Sequence, residues 1–140
     1  MQPSAITPLE KIGDARAIVR KKTPYFRKAV LSLVPVAMPG IGTVACTDRY
    51  VLIYDPKFIL EFPVEELAGA LVHEISHLLR GHHKRMKAFP DLELANIAGD
   101  LPINVDIRDM GYKLPSFACF PHKFGLKEHL HLEEYYELLS

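Results

Sequence analysis

The 140-residue sequence has no tryptophan, two cysteines and no excess of charge of either sign. Each scarcity excludes something. Cys46 and Cys119 are too few for a disulfide framework, and neither opens a C-x-x-C pair. Cys119 and His122 form a lone C-x-x-H, a weak half-site without a second pair. Lys plus Arg and Asp plus Glu balance at 17 each, so no global field draws the chain to nucleic acid or acidic partners. No apolar run approaches the ~18 residues of a membrane span, and no charged segment followed by an apolar one opens the chain. A cytoplasmic protein with neither membrane nor nucleic acid as partner is the expectation. The remainder, 49% apolar and 24% charged, is an ordinary globular profile, and the length suits one domain over 1–140.

Charge is nevertheless uneven. Lys11, Arg16, Arg20, Lys21, Lys22, Arg27 and Lys28 stand against Glu10 and Asp14 within the first thirty residues, a pattern that reads as a basic, solvated helical face. Helical spacing runs from about Thr7 to Val34, interrupted at Thr23-Pro24, where a capping threonine and a first-position proline predict that two helices abut. Pro35, Pro39, Gly40 and Gly42 then break the helix. Thr43–Cys46 and Tyr50–Tyr54 are rich in β-branched and aromatic residues around Asp48-Arg49, which predicts a hairpin. Further helices are expected over Lys57–Glu61, about Val64–Arg80, Asp91–Arg108 and Leu132–Leu139, with loop from Gly111 to Gly125. Helices around a small antiparallel sheet or hairpin place the chain in the α+β class.

The helix over 64–80 carries His73-Glu74-Ile75-Ser76-His77. Histidines four residues apart stand one turn above the other on one face. That spacing lets both imidazoles reach one Zn²⁺ at about 2.0–2.1 Å. Glu74 is rotated about 100° from His73, away from the ligand face yet within reach of a water at the metal, as a general base requires. With seven His and ten Glu in the chain, a chance match has odds of about two in a hundred. Leu67, Leu71, Ile75 and Leu78, widened by Ala68, Val72 and Leu79, make this helix apolar around most of its circumference, a costly place for idle polar groups.

Catalytic zinc usually has three protein ligands. His83 has the H-E-x-x-H-x-x-G-x-x-H spacing, but Arg80 stands where that pattern needs glycine. His82 would point to the far side of a continued helix, and Arg80–Lys87 reads better as a cationic, solvated terminus. Asn96, Asp100 and Asn104 recur every four residues on the next helix. They suggest a carboxylate ligand flanked by supporting amides, with Pro102 bending the helix just after Asp100.

These residues resemble a bacterial and phage metallopeptidase family, the metallopeptidase-like half of proteins that often also carry a von Willebrand A-like domain. The similarity includes Tyr54-Asp55-Pro56-Lys57-Phe58, Glu65-Glu66-Leu67, the run from His73 to His82, Asn96-Ile97-Ala98-Gly99-Asp100 with Ile103-Asn104, and Glu133 to Leu139. It implies a zincin-like fold with His73 and His77 as zinc ligands, Glu74 as acid/base and Asp100 as third ligand. A von Willebrand A-like domain would then come from a partner protein. Tyr50–Tyr54 is the candidate edge strand for an extended peptide or protein substrate. Tyr112, His122, His129 and His131 are candidates to stabilise an oxyanion. The reading is a zinc metallopeptidase. Its competitors are a non-catalytic regulatory or interaction module with a closed zinc site, completed by His82 or His83, and DNA-associated proteolysis through the basic segments.

Overall fold

The computed structural model describes residues 6–140. It is helix-rich, with a small three-stranded mixed sheet, and belongs to the α+β class. The chain divides into two compact units, 1–75 and 76–140. No helix among the described residues is long and apolar enough to cross a membrane.

In the first unit, α1 (Pro8–Lys22) starts where Thr7 Oγ1 accepts the Glu10 amide at 3.1 Å, with proline at the first turn. Ile12, Ala15 and Val19 are its buried stripe. Arg20, Lys21, Lys22, Arg27 and Lys28 are exposed, as a solvated basic face requires. Arg16 departs from that expectation. It turns inward, donates from Nη2 to Leu33 O at 2.9 Å, and leaves Nε buried without a partner. Burial holds its pKa below the ordinary arginine value, because desolvation disfavours the charged form.

Thr23 does not cap the next helix. Its hydroxyl donates back to Val19 O at 3.1 Å, and a 3₁₀ turn over Pro24–Phe26 leads into α2 (Arg27–Ser32). Helix α2 stops short of Val34, because Pro35 disfavours helical backbone in the residue before it. Val34–Ala37 instead forms β1, which the pattern of breakers conceals. The expected hairpin is present as β2 (Val44–Cys46) and β3 (Val51–Tyr54), paired antiparallel. β1 pairs parallel with β3, from Val34↔Val51 to Ala37↔Tyr54, so the sheet order is β1-β3-β2. The sheet is therefore mixed rather than purely antiparallel. Its central strand is β3, which corrects the expectation that Tyr50–Tyr54 is an edge. Tyr50 lies before the strand with φ 62°. Pro35 is tolerated in β1 because an edge strand can spare one amide donor.

Asp55 ends the sheet and starts α3 (Pro56–Glu61). Its Oδ1 accepts the Lys57 amide at 3.0 Å, and its Oδ2 accepts the amides of Gly42 at 2.9 Å and Gly40 at 3.2 Å. One carboxylate thus fastens the loop between β1 and β2 to a helix start. α1 packs against α3, and Lys11 Nζ donates to Leu60 O at 3.0 Å. Helix α4 (Val64–Leu79) comes next, and the division between the units falls inside it. Leu67, Ala68, Leu71, Val72 and Ile75 are wholly buried, whereas Leu79, expected in the apolar stripe, is half exposed.

The second unit holds α5 (His82–Met86), α6 (Leu92–Asp109), a 3₁₀ turn over Pro121–Phe124 and α7 (Leu132–Leu139). Asp91 caps α6 by accepting the Leu94 amide at 3.1 Å. α6 packs on α7 through Ala95, Ala98, Leu101, Leu132, Tyr135 and Tyr136. The small residues of α6 make room for the tyrosines of α7. α6 continues through Pro102, which is buried.

The amide contacts to Asp55 hold its carboxyl below the ordinary carboxylate pKa of 3.8, that of Gly42 first. A lowered folded-state pKa means the stabilisation is complete above the unfolded value and fades as pH falls through the folded one. Asp55→Asn is expected to lower the Tm near neutrality, and the gap to wild type should narrow steadily below about pH 4. Thermal denaturation over a pH series checks this.

Candidate metal centre

Gly81 decides where α4 stops and which way the chain leaves it. Its φ of 65° is left-handed, a conformation that glycine adopts without penalty. Its amide donates to Leu78 O at 3.1 Å, and α5 then starts in a new direction. His82 is consequently not on the far side of a continued helix. It is 1% exposed, with Nδ1 at 3.0 Å from Nδ1 of His77. The solvated-terminus reading of this segment is thereby corrected in part. Arg80 pairs with Asp106, and Arg85 donates to Glu133 at 2.7 and 2.5 Å, while Lys84 and Lys87 are exposed.

The His77 ring is buried. Its Nε2 lies 3.0 Å from Asp100 Oδ1 on α6. His73, one turn earlier on α4, completes a group with His77 and Asp100 whose donor atoms all lie within 4.8 Å of one another. A tetrahedral ion bound at about 2.1 Å holds its donors about 3.4 Å apart. The 4.8 Å limit on these separations is wider than that, and two imidazoles with one carboxylate are a donor set that zinc accepts. Neither His82 nor His83 belongs to this group.

A family model described as "putative metallopeptidase domain" matches residues 9–140. The chain belongs to this family. No curated protein and no solved structure matches it.

In a metallopeptidase the groups around the donors matter as much as the donors. Burial holds His82 low, at about 3, helped by the neighbouring His77, Arg85 and Arg80. A neutral imidazole has one nitrogen that donates and one that accepts. Glu74, beside His73, is half-buried and outside the donor group. Its charge, after burial, helps push the Cys46 thiol on β2 up to about 12. His83 is half-buried, with its ring centroid 6.5 Å from that of His77.

The amides expected to flank Asp100 do other work. Asn96 is exposed. Asn104 is buried and donates from Nδ2 to Cys119 O at 2.8 Å, which ties the loop after α6 to the helix. His131 caps α7 within a reciprocal capping box with Glu134, and His122 stacks on Phe120. Both have structural duties that the sequence did not reveal, since caps and ring stacks depend on where the loop settles.

Asn104→Ala takes this donor from a part-buried carbonyl and leaves a gap where a buried side chain stood, which should cost about 1–3 kcal/mol. Denaturant unfolding checks the loss. Hydrogen exchange should place the loosening in residues 111–120.

Proposed function

We propose that the chain is a zinc-dependent metallopeptidase in which His73, His77 and Asp100 hold the ion and Glu74 is the general base. The observation that carries this is the convergence of those three donors within 4.8 Å. Bound zinc would supply a Lewis acid that polarises a carbonyl and lowers the pKa of water from 15.7 to about 7. The protein's own work is positional. His77 presents Nε2 towards Asp100, and Asp100 brings the negative charge that favours a cation. Glu74 takes a proton from the attacking water and returns it to the leaving amine, a transfer for which a carboxylate beside, but outside, the ligand set is suited.

Three protein donors leave a fourth tetrahedral position for chemistry. A closed, non-catalytic site would need another protein donor. His82 is a poor one, since its Nδ1 is engaged with His77 on the opposite edge of that ring.

Substrate pairing moves to β2 in this reading. It has β3 on one side, and its Cys46 lies within the field of Glu74. An extended peptide could add there by backbone hydrogen bonds. The family match across 9–140 supports treating the chain as one zincin-like domain. Cytoplasmic residence, and a partner carrying a von Willebrand A-like domain, belong to the same proposal.

Purified protein should bind one zinc per chain, and hydrolysis of an unfolded protein such as casein should stop on chelation. Glu74→Gln should retain the zinc while turnover falls about 10²–10⁴-fold. Asp100→Ala should lose zinc affinity itself. A Glu74→Gln protein as active as wild type would end this mechanism.

A further inference from the structure

The two nitrogens of His77 face different partners, and this asymmetry has a chemical consequence. Nε2 points to Asp100 and Nδ1 to His82, each at 3.0 Å. A histidine that gives one nitrogen to a metal keeps its single hydrogen on the other. That hydrogen almost always goes to a carboxylate, a backbone carbonyl or water. Here the group in place is a second imidazole.

We propose that His82 is a positioning residue: its Nδ1 accepts the Nδ1–H of His77 and so fixes the tautomer and ring angle that present His77 Nε2 to the metal. This rests on the reading of His77 as a zinc ligand. It requires His82 to carry its own hydrogen on Nε2. An uncharged acceptor orients the ligand without adding a second negative charge beside Asp100.

The surroundings are built for this contact. The left-handed Gly81 separates α4 from α5, and His82, the first residue of α5, lies with its Nδ1 3.0 Å from that of His77. On α6, Gly99 presents bare backbone to the pair. A Cβ there would sit 3.2 Å from His82 Nδ1, 3.2 Å from Leu132 Cδ1 and 3.7 Å from His77 Cε1. Any larger residue at 99 pushes against the very atom that accepts. Arg85, held by Glu133 and by its own bond to Arg80 O at 3.1 Å, pins the short helix that carries His82.

The test separates an acceptor at the Nδ1 position from mere bulk. Asparagine places its oxygen near where histidine Nδ1 lies, and glutamine places it one bond further out. Zinc affinity is measured by competition with a chromogenic chelator on wild type, His82→Asn, His82→Gln and Gly99→Ala, with folding followed by circular dichroism. His82→Gln should bind about ten- to a hundredfold more weakly, and His82→Asn should recover most of that loss. Gly99→Ala should fall between them. In ¹⁵N-histidine spectra of the zinc-loaded wild type, His77 should carry its hydrogen on Nδ1.

Three results overturn the assignment: His82→Gln binding as tightly as wild type, His82→Asn as weak as His82→Gln, or a His77 hydrogen on Nε2. A wild-type protein without zinc affinity removes this proposal and the metallopeptidase mechanism together. A tight wild type with an insensitive His82→Gln removes only the role of His82.

Discussion

The buried ring of His77 is the constraint around which the second unit is arranged. An imidazole taken out of water must have both nitrogens satisfied. It finds Asp100 on one edge and His82 on the other. Those partners come from two further helices, so placing one ring correctly demands that α5 and α6 be placed correctly too. The left-handed Gly81, the bare Gly99 and the ion pairs of Arg80 and Arg85 all serve that placement.

Such an arrangement departs from what packing alone would choose. α4 is lined by wholly buried Leu67, Leu71, Val72 and Ile75, yet it carries two histidines and a glutamate. On α6, half-buried Asp100 comes after buried Ala98 and Gly99 and precedes buried Leu101. Polar groups held among apolar neighbours weaken a fold unless they are hydrogen-bonded, and proteins keep such costs mainly where chemistry needs the groups. The tyrosines of α7, sunk into the small-residue face of α6, offset part of that cost through their burial.

Much of the architecture was legible from local pattern. The α+β class, the hairpin, the Asp91 start of α6 and the span of α7 all arise from short-range signals such as alternation, caps and 3.6-residue spacing. The strand β1 was not legible, because Pro35 reads as a breaker and its pairing with β3 spans seventeen residues. That one omission also placed β3 at an edge instead of the centre. Arg16 escaped for a similar reason. A helical arginine among basic neighbours looks solvated until Leu33 O is found within its reach.

The sequence by itself determined that His73 and His77 share a helix face and that Glu74 stands beside them, since helical geometry relates residues one to four apart without reference to anything else. It could also nominate Asp100, His82 and His83 as companions. Only the tertiary structure sets where each stands relative to His77. A left-handed turn at Gly81 sends His82 to the back of the His77 ring, and the packing of α6 brings Asp100 to its front. Distances between residues separated by turns and helices are set by how whole faces pack, and that information is not written in the spacing of the residues themselves.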